Sequence, residues 1–285
     1  MLNDPQAAKY ALLVMYAEDM YDALKDKTNL TPPIDPRVSA DWTIAGFITA
    51  EDALADAQAI GIGTRFYYGF LAYSNLDKTQ YVAVIRGTAN PVEWIEDGEF
   101  PPRPAPTTMM GTVEDGFFSI YESMLYAPVG SAAGQPVVTG IATALGKNKL
   151  TVLGHSLGSA LATYLTLDLT VSGQLKNSLS ACLFASPHAG DVKFVNCFDQ
   201  KVANYKVYNY SRDIVPRVPF LFGYSALPKA QIFTPQEANA KIQNTFGGNH
   251  HAICYAAMID YTATDWSTVP PIDKNCAACI LGPNP

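Results

Sequence analysis

A chain of 285 residues and 30.8 kDa is long enough for one large α/β domain or two small ones. With 48% hydrophobic, 11% aromatic and 16% charged residues, it is not an intrinsically disordered, collagen-like or low-complexity chain. Nineteen Lys and Arg stand against 26 Asp and Glu, a net charge of −7, which argues against a nucleic-acid partner and against electrostatic docking on an anionic membrane, since both need clustered positive charge.

Asp4 as N-cap with Pro5 in the first turn predicts a helix on which Leu12, Tyr16, Met20 and Leu24 recur every four residues and form one apolar face. The early apolar run Ala11 to Ala17 ends at Glu18-Asp19 and is too short to cross a bilayer, so no transmembrane segment is expected. The N-terminus also lacks the basic stretch and extended apolar core of a secretory leader. Phe66 to Tyr73 and Tyr81 to Ile85 are aromatic and β-branched runs around Asn75-Leu-Asp-Lys78, a hairpin signal. In 90–98, Asn90 can cap, Pro91 suits the first helical position, Glu93 can return a bond to the cap and Gly98 can stop the helix. The result would be two amphipathic turns with Val92 and Ile95 on one face and Trp94 beside it. The proline cluster 100–107 reads as a stiff, extended connection. Helical patterns near 114–126 and 134–146 then lead to a strand at Leu150 to Leu153, a helix from Leu157, and strands at Ala181 to Ala185 and Tyr205 to Tyr210. Strands alternating with helices predict a mostly parallel sheet covered on both faces, and nothing marks a second domain within 1–285. Of five cysteines, at least one must be unpaired. Cys276-x-x-Cys279 has no second pair to complete a metal site, and the expectation is an unremarkable tail rather than a local disulfide.

The segment Lys149-Leu-Thr-Val-Leu-Gly154-His155-Ser156-Leu157-Gly158 contains Gly-x-Ser-x-Gly between an apolar strand and a good helix former. This setting makes a strained turn that lifts the serine out at the end of a sheet, while the two glycines let strand and helix approach. The first amides of the helix, Leu157 foremost, would point at a developing oxyanion. A serine hydroxyl needs a base, and the chain has four histidines. His155 lies in the turn itself, and its side chain should face away from Ser156. His188 precedes any plausible acid, whereas a nucleophile elbow of this kind is followed by acid and then base in chain order. His250 and His251 remain, both in the glycine-led loop Gly247-Gly-Asn-His-His-Ala-Ile-Cys-Tyr255. For the acid, Asp213 follows the strand Tyr205 to Tyr210, where catalytic groups gather on open α/β sheets. Its competitors Asp191 and Asp199 both precede that strand.

Five blocks in this order, Val84-Ile-Arg-Gly-Thr88, Glu93-Trp-Ile-Glu-Asp97, Gly154-His-Ser-Leu-Gly158, Ala185-Ser-Pro-His-Ala-Gly190-Asp and Ser211-Arg-Asp-Ile-Val-Pro216, closed by a histidine and a nearby tyrosine, resemble the class 3, fungal-type lipases of the α/β-hydrolase superfamily. The blocks span 81–255. Three details depart from the family pattern: Pro187-His-Ala-Gly lacks the usual arginine, three residues separate His251 from Tyr255, and the N-terminal eighty residues match weakly. The resemblance implies an α/β-hydrolase fold with a short helical lid at about 89–99, and a triad of Ser156, Asp213 and His251. It further implies an oxyanion hole of Thr88 and Leu157, and it favours export, while the N-terminus offers no leader and the compartment stays open. The chemistry expected is acyl transfer from a lipid ester to water, with no metal or organic cofactor. The apolar lid residues Val92, Trp94 and Ile95 would be covered by the active-site groove in water and by lipid at an oil–water interface. The preferred substrate class is neutral acylglycerol. Phospholipase A1 or feruloyl-type esterase activity on the same fold is the alternative, and a catalytically silent binding protein of this fold is a third reading.

Overall fold

In the computed structural model, described residues are 2–51, 64–88, 100–131, 133–173, 175, 178–264, 266 and 277–284. The expected lid at 89–99, with Val92, Trp94 and Ile95, lies outside them. Helix α1 (Pro5–Asp22) is capped by Asp4, whose carboxylate accepts from the Ala7 amide at 3.0 Å. It buries more than one face: Ala7, Ala8, Leu13, Val14 and Met15 are inside along with Leu12 and Met20, because α1 is packed between the sheet and a late helix. A short α2 (Pro36–Asp41) leads into β1 (Trp42–Glu51), which pairs antiparallel with β2 (Arg65–Ser74). The expected hairpin then joins β2 to β3 (Gln80–Ile85).

The proline cluster is extended, as anticipated, and contributes β4 (Pro102–Pro104), which pairs with β5 (Thr112–Glu114) in a small separate sheet. Helix α3 (Asp115–Glu122), β6 (Leu125–Pro128), β7 (Gln135–Pro136) and α4 (Val137–Leu145) precede β8 (Lys149–His155) and α5 (Leu157–Val171). Next come β9 (Leu179–Phe184), β10 (Gly190–Asp191), α6 (Val192–Lys201) and β11 (Tyr205–Tyr210). The chain continues with β12 (Tyr224–Ser225), β13 (Ala230–Phe233), β14 (Ala240–Ile242), α7 (Phe246–His250), α8 (Ala252–Ile259) and β15 (Ile280–Pro283).

The main sheet has the order β13-β11-β9-β8-β3-β2-β1-β6-β7. From β3 to β13 the neighbours are parallel, and the β2, β1, β6 and β7 side is antiparallel. Helices α1 and α8 pack together on one side, and α3, α4 and α6 pack around α5 on the other. Strands β3, β8 and β9 are therefore shielded on both faces and read as near-continuous apolar runs. The C-terminal ends of β3, β8 and β11 open toward one rim, and Thr88, Ser156 and Asp213 follow those strand ends. Among the described residues, no helix is long and apolar enough to cross a membrane. Cys182, Cys197 and Cys254 are buried, whereas Cys279 is disulfide-bonded, which corrects the expectation of an unremarkable tail at that position; Cys276 lies outside the described residues.

Candidate active site

Ser156 sits between β8 and α5 with φ +56°, a left-handed conformation that a serine holds only when its surroundings impose it. Those surroundings are tight. A Cβ on Gly154 would lie 2.3 Å from the Gly158 carbonyl oxygen, and one on Gly158 would lie 2.5 Å from the carbonyl oxygens of Ile85 and Arg86. Ser159 braces the turn, its hydroxyl donating within reach of the Gly154 and Phe184 carbonyls at 2.8 and 2.7 Å. The Ser156 amide also donates to the Phe184 carbonyl at 3.0 Å.

The structure brings Ser156, Asp213 and His250 together, with His250 in the position that the sequence reading gave to His251. His250 Nε2 is 3.0 Å from Ser156 Oγ, and its Nδ1 is 2.9 Å from Asp213 Oδ2. A carboxylate only accepts, so Nδ1 carries the hydrogen and Nε2 offers a lone pair to the serine hydroxyl. The reason His250 and not the next residue faces the serine is a break between two helices. His250 is the last residue of α7, while His251 is extended (φ −60°, ψ 145°) and starts α8, so the two side chains diverge. Gly248 makes α7 possible, because a Cβ there would stand 2.1 Å from the Gln243 carbonyl oxygen. The expected glycine-led loop is thus a single helical turn, capped by the Thr245 hydroxyl on the Gly248 amide at 3.1 Å. His251 is instead held neutral by burial, its pKa pushed down to about 4, with Glu18 opposing the shift and His250 and His155 reinforcing it.

Asp213 Oδ1 accepts from the Val215 amide at 3.0 Å, and Oδ2 also accepts from the Tyr255 hydroxyl at 2.8 Å. Tyr255 in turn accepts from the Tyr210 amide at 2.9 Å and so ties the end of β11 to α8. The sequence hints at Tyr255 only through its place after the histidines. The competing acids are engaged elsewhere: Asp191 caps α6 through the Phe194 amide, and Asp199 pairs with Lys229 at 2.8 Å. His188 bonds the Pro219 carbonyl through Nδ1 at 2.8 Å.

Strand β3 delivers Thr88 to the same rim, and the backbone one residue earlier passes close enough that a Cβ on Gly87 would lie 3.3 Å from Ser156 Cβ. Arg86 fixes this strand end: its guanidinium lies over the rings of Tyr21 and Tyr68 and donates to the Tyr67 and Gly87 carbonyls, both at 2.7 Å. Leu157, the first residue of α5, is buried directly after Ser156. Ser156, Asp213 and His250 expose 1, 2 and 2% of their surface, so the relay is shut off from bulk water.

A central sheet with a serine at a strained strand-to-helix turn, followed in the chain by acid and then histidine, defines an α/β-hydrolase. Residues 82–223, about half of the sequence, match the family described as Lipase (class 3). The chain belongs to the class 3 lipase family. Among curated relatives, it is 27% identical over 252 residues to phospholipase A1-II 3 of Oryza sativa subsp. indica, covering 76% of this chain and 59% of that protein. It is 28% identical over 165 residues to the secreted mono- and diacylglycerol lipase 1 of Fusarium solani, covering 57% and 46%. The chain therefore spans about half the length of these relatives. The triacylglyceride lipase of Rhizomucor miehei shares the fold, with a TM-score of 0.58 at 21% identity over 80% of this chain and 78% of that one.

Proposed function

We propose that the protein hydrolyses carboxylic esters of acylglycerol-type lipids through an acyl-enzyme on Ser156. The observation that carries this reading is the continuous relay from Asp213 through His250 to the Ser156 hydroxyl, with contacts of 2.9 and 3.0 Å. In this reading His250 takes the serine proton as Ser156 attacks the ester carbonyl, then returns it to the departing alcohol. Asp213 keeps one tautomer and stabilises the imidazolium. The amides of Thr88 and Leu157 are assigned to the oxyanion, and each such donor is worth on the order of 3 kcal/mol in the transition state. The second half-reaction uses water in place of the alcohol and frees the acid.

A lipid substrate is supported by the family and by the segment that follows Asp213 in the chain, where Phe220, Leu221 and Phe222 stand exposed in succession. A lid at 89–99 remains part of the proposal on the sequence pattern alone. The second reading, phospholipase A1 activity, is favoured by one finding: several of the matched relatives carry that name. The test is hydrolysis of tributyrin, a diacylglycerol and phosphatidylcholine by the wild type and by Ser156→Ala. Loss of about four orders of magnitude or more in the variant, with the fold intact, is expected. Retained hydrolysis would overturn the assignment, and a wild type faster on phosphatidylcholine than on both acylglycerols would move the substrate to the second reading.

A further inference from the structure

Behind the relay lies a second polar chain that takes no part in it. Glu18 is on α1, with Oε1 3.4 Å from His155 Nδ1 and 3.3 Å from the amide nitrogen of Gly87. His155 Nε2 is 2.6 Å from the backbone carbonyl oxygen of His250. A carbonyl oxygen can only accept, so Nε2 carries a hydrogen. In a neutral imidazole, Nδ1 would then present a bare lone pair to a carboxylate that is also only an acceptor, and the two would repel. A proton between them removes the conflict. The His155 side chain is 4% exposed and that of Glu18 is 24% exposed.

Burial works to raise the Glu18 carboxyl, but the hydrogen bond and charge of His155 outweigh it and leave the carboxyl below the ordinary glutamate value. Other titratable groups facing His155 are His250, whose ring centroid is 4.7 Å away, and Tyr255 at 5.8 Å, with His251 and Asp213 further along the same cluster.

We propose that Glu18 holds His155 as an imidazolium, and that this ion pair positions the two backbone segments on which ester hydrolysis depends. The inference rests on the reading of Ser156 and His250 as nucleophile and base. One arm of the pair ends on the peptide of the base itself, and the other ends on Gly87, one residue before the oxyanion residue Thr88. The pair is neutral overall, so it fixes geometry without placing net positive charge against the His250 ring, where an imidazolium must form during the reaction. Glu18 and His155 are thus positioning residues.

The test compares the wild type with Glu18→Leu and Glu18→Gln, whose amide can keep one of the two contacts made by Oε1 but not both. On a soluble p-nitrophenyl ester at pH 7, Glu18→Leu should lose at least about tenfold in kcat with KM nearly unchanged, while Glu18→Gln should lose less than Glu18→Leu. In ¹⁵N-histidine spectra of the wild type, both ring nitrogens of His155 should be protonated at pH 7. In Glu18→Gln only Nε2 should be. A wild-type His155 with an unprotonated Nδ1, or a folded Glu18→Leu protein with wild-type kcat, would overturn the inference. Should Glu18→Leu fail to fold, the wild-type spectrum still decides. A wild-type Ser156 that a fluorophosphonate cannot label would defeat the hydrolase reading instead, and that result is independent of the state of His155.

Discussion

Two adjacent histidines with opposite surroundings carry the lesson at the scale of single residues. His250 donates to a buried carboxylate and faces the serine, whereas His251, one peptide later, is kept neutral by burial. No composition or spacing signal separates them. The choice depends on the backbone breaking at His251, and that break depends on Gly248 fitting under the Gln243 carbonyl. The depressed pKa of His251 has a consequence for stability. Its folded value of about 4 lies below the unfolded value of 6.5, so its contribution is fully present above pH 6.5 and is lost as pH falls toward 4. Wild type should therefore lose up to about 3 kcal/mol more than His251→Gln in urea melts taken between pH 7 and pH 4. Equal losses in the two proteins would contradict the assignment of His251 as a group held neutral in the fold. Tyr255→Phe removes one of the donors on Asp213 Oδ2 and the acceptor of the Tyr210 amide. It should cost about 1–3 kcal/mol of stability and lower kcat with little change in KM. A variant with wild-type stability would show that these bonds do not hold the acid.

The elbow is the clearest case at the scale of elements, because its chemistry and its packing have the same cause. The strand β8, the turn at Ser156 and the helix α5 were all legible from Gly-x-Ser-x-Gly flanked by an apolar run and a helix former, and the hairpin of β2 and β3 was legible from its turn residues. Asp213 was legible because β11 could be placed and the acid follows it by three residues. Strand β1 was not: its mixture of buried glycine, alanine and threonine with bulges against β2 breaks the alternation that would mark it. The bracing by Ser159 and the stacking of Arg86 between Tyr21 and Tyr68 also depend on contacts across the sheet that no local pattern reports. One substitution tests the packing account. In Gly158→Ala the new methyl would meet the backbone carbonyls of Ile85 and Arg86 at 2.5 Å, forcing α5 away from β3. A loss of about 2–4 kcal/mol in stability, with activity falling because β3 carries Thr88, is expected from overpacking against backbone. A variant as stable and active as the wild type would contradict the packing account.

For the whole molecule, the sheet order explains why residues far apart in sequence share a site. The parallel neighbours β3, β8, β9 and β11 end at one rim, so Thr88, Ser156 and Asp213 leave the sheet side by side, and α8 packed on α1 brings Tyr255, His250 and Glu18 to the same place. The N-terminal helix thus contributes to the site even though its sequence shows only a run of apolar residues interrupted by Glu18-Asp19. The small sheet of β4, β5, β10 and β12 lies outside this arrangement, joined to it where the Tyr164 hydroxyl of α5 donates to the Ala189 carbonyl just before β10, at 2.5 Å. The central claim is that His250, and not its neighbour, activates Ser156. The most direct measurement is the rate at which a fluorophosphonate labels the peptide containing Ser156 in the wild type, in His250→Ala and in His251→Ala. Labelling slowed by about three orders of magnitude in His250→Ala, and within tenfold of wild type in His251→Ala, is the expected result. The opposite ranking, or an adduct on a residue other than Ser156, would contradict the account.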